Sequence, residues 1–284
     1  MNWPIILQDP TMHKDTQIRF TLPLWLLLSV FLSACSTIET DPTAGWTAKD
    51  FYDEARSSLD AGEFQTAINN LETLEARFPF DPYAKQAQLD VAYAYYKFEE
   101  PESALSAIER FMRLHPRDPH IDYAYYLKGL VNFNRGIGFL DDWFPRDVAR
   151  HDATIMQQSY NDFSSLVRLY PNSHYAGDAH QRMVFLRNKM AQKEIEIAEF
   201  YIERETWLSA INRAKTVIER YQDSIWSHRA LEIMAEGYKQ LGLKDLATDA
   251  ERVLSLNRPD SNRDLPLPDK EPAAPPAVAS NRAG

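Results

Sequence analysis

The chain is poor in the residues that most often carry chemistry. Its 284 residues include one cysteine, Cys35, and only 9 glycines. No glycine-rich phosphate loop and no Gly-x-Ser-x-Gly elbow occurs. No His-Glu-x-x-His is present, and the histidines at 115, 120, 151, 174, 180 and 228 are scattered. His174 and His180 are six residues apart and so do not share a helix face. Acidic pairs such as Glu99-Glu100 and Asp141-Asp142 fall where turns are expected and read as solvated charge. The sequence therefore offers no catalytic residue, no metal ligand set and no cofactor motif; it is not expected to be an enzyme. Positive charge is short as well. A net charge of −10 on an exported chain argues against a nucleic-acid partner.

Long apolar runs are also lacking. The longest, FTLPLWLLLSVFL at Phe20–Leu32, has 13 residues, and a spanning helix needs about 18 or more. Its length, with Lys14 and Arg19 before it, fits the apolar region of a secretory signal. The residues ahead of Met12 exceed what export needs, which points to Met12 as the start of translation. Leu32-Ser33-Ala34-Cys35 follows, and it resembles the bacterial lipobox. A peptidase embedded in the membrane admits only small side chains before the scissile bond, and the thiol carries a diacylglyceryl group. Cys35 is therefore expected to be a lipid attachment site, with residues 1–34 removed. Two or more acyl chains, at about 0.8 kcal/mol per buried methylene, anchor stably. Ser36, where Asp commonly favours inner-membrane retention, directs the expectation to the outer membrane. An acylated thiol cannot enter a disulfide, so the mature chain must be stabilised by packing. Residues 35–46 read as lipidated terminus and linker. Residues 260–284, rich in Pro and Ala, read as a disordered tail.

Between residues 47 and 259 the apolar positions follow helical spacing and repeat. AINNLETLEARFP (Ala67–Pro79) matches ALSAIERFMRLHP (Ala104–Pro116), SYNDFSSLVRLYP (Ser159–Pro171), AINRAKTVIERYQ (Ala210–Gln222) and ATDAERVLSLNRP (Ala247–Pro259). The offsets are 37, 55, 51 and 37 residues, so two intervals exceed the basic period by 18 and 14. Each copy starts on a small residue. Each is preceded by another helical segment: Ala48–Leu59, Lys85–Lys97, Asp122–Asn134, Tyr175–Glu205 and Ser227–Leu241. Small residues at Ala55, Ala92, Gly129, Ala198 and Ala235 let paired helices approach. A closing Pro stops the second helix because it lacks an amide proton and clashes with the preceding turn. The fold expected is all-α, an α-solenoid of five tetratricopeptide-like helix pairs. A surface loop near Gly136–Arg146 accounts for the insertion in repeat three. A lengthened first helix, Ala176–Glu205, accounts for the excess in repeat four.

In tetratricopeptide folds the first helix of each pair lines a groove. On this chain the groove positions fall at Lys49, Tyr52, Arg56, Leu59 and Asp60; at Gln86, Leu89, Tyr93, Tyr96 and Lys97; and at Tyr123, Tyr126, Leu130, Phe133 and Asn134. Five tyrosines with several cations would suit an extended peptide bearing aromatic side chains and a carboxylate. Packing between helices would use the same tyrosines equally well.

The stretches Arg77–Lys97, Pro119–Leu130 and Asp162–Arg213, together with the lipobox, resemble the BamD family. Its members are lipoprotein subunits of the β-barrel assembly machinery of Gram-negative outer membranes. The resemblance spans roughly residues 47–259 and includes both irregular spacings. It implies a scaffold, lipid-anchored on the periplasmic face of the outer membrane. That scaffold would bind BamA, other lipoproteins of the complex and the C-terminal signals of unfolded outer-membrane β-barrel proteins. Its C-terminal repeats would dock on BamA and its N-terminal repeats would receive the signals. The family's Val-Asn-Arg stretch is Ile211-Asn212-Arg213 here, which makes Arg213 the candidate for BamA coupling. The family's Arg-Tyr-Pro-Phe is Arg77-Phe78-Pro79-Phe80, adding Phe78 and Phe80 to the candidate groove while losing one phenolic hydroxyl. Arg150-His151-Asp152 replaces the family's Asp-Arg-Asp in what should be the loop before the second helix of repeat three. Two other readings stay open: another periplasmic repeat lipoprotein, such as a secretin pilotin or cell-wall adaptor, and an envelope hydrolase.

Overall fold

The computed structural model describes residues 41–136 and 148–256. The signal segment, Met12, Cys35, residues 137–147 of the repeat-three insertion and the tail from residue 257 lie outside the described residues. The chain divides into two units, 1–46 and 47–284. In the first, residues 41–46 make a turn in which Thr43 N donates to Asp41 Oδ1 at 2.8 Å.

In the second unit the described residues form ten α-helices. They are α1 (Ala48–Ala61), α2 (Phe64–Arg77), α3 (Pro82–Lys97), α4 (Pro101–Leu114), α5 (Ile121–Gly136), α6 (Val148–Leu169), α7 (Ala176–Ile202), α8 (Trp207–Arg220), α9 (Ser227–Gln240) and α10 (Lys244–Leu256). Each helix packs on the next in sequence, and the first helices of neighbouring pairs also touch, α1 on α3, α3 on α5 and α7 on α9. Those contacts are the signature of stacked helix pairs.

The repeat is visible atom by atom at both kinds of turn. Within pairs one, two, four and five, the connection places Gly62, Glu99, Glu205 and Gly242 in the left-handed region, at φ of 77°, 62°, 54° and 72°. The following amide closes the same backbone hydrogen bond each time, from Glu63, Glu100, Thr206 and Leu243 to Ser58, Tyr95, Tyr201 and Tyr238, at 2.8–2.9 Å. Glycine takes this conformation freely, whereas the two glutamates hold it against a steric penalty of roughly 1 kcal/mol. Between pairs, Phe78, His115 and Tyr221 leave the helix at nearly identical angles, (−129°, 53°), (−127°, 54°) and (−120°, 46°). Proline follows the first two, and helical angles are disfavoured for a residue before proline. Gln222 follows the third and the geometry persists, so the stacking sets this turn and proline reinforces it.

The small residue opening each copy marks the helix crossing. Ala67, Ala104, Ser159, Ala210 and Ala247 are all buried. Ser159 adds a bond, its Oγ donating to Gly129 O at 2.9 Å. Opposite them stand the buried Ala55, Ala92, Ala198 and Ala235, and Gly129. Gly237 belongs with these and was not anticipated: a Cβ there would lie 2.7 Å from Ile211 Cγ1.

Repeat three departs from the sequence expectation. Its second helix begins at Val148, ahead of the residues expected to form a loop, and runs for 22 residues. Arg150, His151 and Asp152 therefore stand in the opening turns of a helix, not in a loop. Periodicity counted from the other copies cannot register extra turns added ahead of the repeating segment.

Candidate functional site

The first helices of repeats one to three carry the candidate tyrosines, Arg56 and Lys97, but they divide them into two layers. Tyr52 on α1 and Tyr123 and Tyr126 on α5 are buried, Tyr123 completely at 0% exposure. They bind the repeats together. The Tyr52 ring lies 5.1 Å from that of Tyr83, and Tyr126 stacks on Tyr175 at 4.8 Å with the rings 19° apart. Tyr123 also meets Tyr175, at 5.3 Å. Burial lifts the Tyr52, Tyr123 and Tyr126 phenols well above their ordinary range. Tyr123 thus has no surface to offer a ligand, and the expectation of a groove lined by all five tyrosines is narrowed accordingly. Long aromatic side chains on an inner helix reach the next helix before they reach solvent.

Tyr93, Tyr96, Lys97 and Arg56 remain partly exposed. The Tyr93 and Tyr96 rings are 6.4 Å apart, and Tyr96 Oη accepts from Asn134 Nδ2 at 2.5 Å. Lys97 Nζ lies 6.0 Å from the centre of the Phe64 ring. Phe78 packs 6.3 Å from Phe51, and the Arg77 guanidinium lies 5.3 Å over the same ring. Phe80, by contrast, is 98% exposed.

Arg56 reaches Asp90 at 3.8 Å, tying α1 to α3. Asp90 is fully buried, and Gln86 Nε2 donates to its Oδ1 at 3.0 Å. Burial raises the Asp90 pKa, outweighing the opposing pull of Gln86, Arg56, Tyr52 and His120. A carboxyl whose folded pKa exceeds its unfolded value, about 3.9, contributes full stability below the unfolded value. That contribution is lost as pH rises through the folded pKa. Asp90→Asn should therefore unfold at a higher temperature than the parent at pH 8, and the gap should close by pH 4. A gap independent of pH would mean that Asp90 does not titrate differently on folding.

A second network was not anticipated, although Asp178 and Arg182 stand at the i, i+4 spacing that could have revealed it. Arg182 on α7 is 1% exposed. Its Nε donates to Asp178 Oδ2 at 2.6 Å and its Nη2 to Oδ1 at 3.3 Å. Tyr126 Oη donates to the same carboxylate at 2.7 Å, so repeats three and four meet on one charged group.

Arg213 on α8 donates from Nη1 to Glu194 Oε2 of α7 at 3.2 Å, and its side chain is 44% exposed. One edge of the guanidinium is committed, while the rest can reach a partner. The last repeats also expose Leu208, Leu241, Leu243, Leu246, Val253 and Leu256. Among the described residues, α10 packs chiefly on α9 and buries only Ala247 and Ala250. Among the described residues, too, no cluster of three His, Cys, Asp or Glu could hold a metal ion, and no helix is long and apolar enough to cross a membrane.

Residues 45–253 match the model of a family described as YfiO, outer membrane lipoprotein. The outer membrane protein assembly factor BamD of Neisseria gonorrhoeae is 41% identical over 84% of this chain and 91% of its own length. The protein of the same name from Vibrio cholerae is 37% identical over 84% of this chain and 98% of its own. Among solved structures, the MamA protein overlaps 73% of this chain and 89% of its own at 16% identity, with a TM-score of 0.30. That score is too low to bear on the helix-pair architecture, which rests on the contacts described above.

Proposed function

The chain belongs to the BamD family of outer membrane lipoproteins, and from that premise we propose that it is a non-enzymatic scaffold and substrate receptor for outer-membrane protein assembly. The observation that carries the proposal is the match along residues 45–253, which includes both lengthened repeats. In this reading Cys35 carries the lipid that anchors the protein to the outer membrane, facing the periplasm.

The two halves of the stack take different partners. The N-terminal repeats receive signals of unfolded β-barrel proteins on Tyr93, Tyr96, Lys97 and Arg56, with Phe80 as an exposed aromatic anchor. The buried Tyr52, Tyr123 and Tyr126 fix the spacing of that surface. The C-terminal repeats dock on BamA. The exposed apolar side chains of the last two repeats support this, because that many left in solvent suit burial against a partner. Arg213 supplies a guanidinium suited to bidentate pairing with a carboxylate of the partner.

Arg213→Ala should weaken BamA association by about 2 kcal/mol, the lower end of the range for truncating one member of an interfacial charge pair. Its helical circular dichroism should be unchanged. Co-recovery from detergent-solubilised membranes measures the effect. Undiminished recovery would remove Arg213 from the interface.

A further inference from the structure

The first helix of repeat four carries residues that the groove positions of repeats one to three do not include. Asp178, Arg182, Phe185 and Lys189 follow at spacings of four, three and four, which places them along one face of α7. That face runs on from the tyrosine surface through a chain of contacts. Tyr96 is bonded to Asn134 of α5, and Phe133, the residue before Asn134, lies under the Arg182 guanidinium at 4.9 Å. The Phe133 and Phe185 rings are 5.8 Å apart, and Lys189 Nζ stands 5.9 Å from the Phe185 ring centre.

The charges along this line are not balanced. Asp178 is occupied by Arg182 and Tyr126. Lys189 is exposed and, among the described residues, has no carboxylate within ion-pair distance, although the chain carries ten more acidic than basic residues. Lys97, Arg113, Arg168 and Arg220 also lack an ion pair there, but each stands in the last turn of its helix, where the helix dipole favours a cation. Arg117 and Lys244 are unpaired too, at a turn and at a helix start. Lys189 sits in the middle of α7 and has no such role. An ammonium beside a partly exposed aromatic ring, free of acid partners, is complementary to an anion joined to an aromatic group.

We infer that α7 forms the far end of the peptide surface. Phe185 takes an aromatic side chain and Lys189 the terminal carboxylate of an extended peptide that also crosses Tyr96 and Asn134. The inference rests on the receptor reading proposed above.

The test uses the acylated full chain in detergent. Two fluorescent extended peptides, identical and ending in phenylalanine, differ only in a free or amidated C-terminus. Lys189→Gln should weaken the free-acid peptide at least about tenfold, the low end for one charge-assisted contact. It should leave the amidated peptide unchanged. Phe185→Ala should weaken both alike. Lys189 is exposed, so its replacement leaves the packing intact. Equal affinity of Lys189→Gln and parent for the free-acid peptide overturns the inference while the receptor reading stands. Failure of the parent to bind either peptide overturns both.

Discussion

Gly129→Ala should destabilise the protein by about 2 kcal/mol, although alanine is the better helix former. A Cβ at 129 would lie 2.5, 2.6 and 2.9 Å from three carbons of the Phe163 ring. That ring is fully buried, with Tyr126 at 6.1 Å and Phe133 at 6.3 Å. It cannot withdraw without displacing both. Ser159 Oγ meanwhile holds α6 against the Gly129 carbonyl. Overpacking of this kind costs about 3 kcal/mol at the upper end of its usual range, against a propensity gain of about 1 kcal/mol. The steric term wins. Urea unfolding measures the result, and Phe163→Leu in the same chain should shrink the penalty of the alanine. An additive double mutant would place the clash elsewhere. Gly237 is the milder counterpart, because the Ile211 side chain it meets is more adaptable than a ring.

Arg182→Ala should cost about 3 kcal/mol, the low end for breaking a buried ion pair. The low end applies because the Asp178 side chain left behind is 33% exposed and can draw water. What is lost is the tie between α5 and α7: Tyr126, Phe133 and Asp178 all meet the guanidinium or its carboxylate. Arg182→Lys should recover little, since a point charge cannot reproduce two N–H bonds to one carboxylate. Hydrogen exchange should speed up selectively in α7, with the first two repeats unaffected. Uniform acceleration would make Arg182 a contributor to global stability and not a joint.

Much of the architecture was legible because the repeat obeys a few local rules. A small residue at each crossing and a proline after every second helix but the fourth gave the period, and the small residues are buried as that pattern requires. The left-handed turns were only half legible. Gly62 and Gly242 advertise them, whereas Glu99 and Glu205 occupy the equivalent positions without any compositional sign. The extra turns of α6 were hidden because nothing in the other copies aligns with them.

The candidate site was less readable, for a physical reason. Helical spacing shows which residues share a face, but not whether that face reaches solvent or the next helix. Tyr123 and Tyr96 look alike in the sequence; one is wholly enclosed and the other is only half-buried. Asp90 was hidden by the same gap, since its cation, Arg56, stands on another helix. Arg182 could have been read from Asp178 four residues before it, but not its burial against Phe133 and Tyr126. Arg213 came from the family resemblance. Its intramolecular partner, Glu194, came from the coordinates.

The central claim is that this chain holds other proteins together at the outer membrane during assembly of its barrels. The most direct measurement is recovery of the full chain from membranes in mild detergent, with identification of what accompanies it. BamA should be present in the recovered complex. Recovery of a secretin without BamA would contradict the claim.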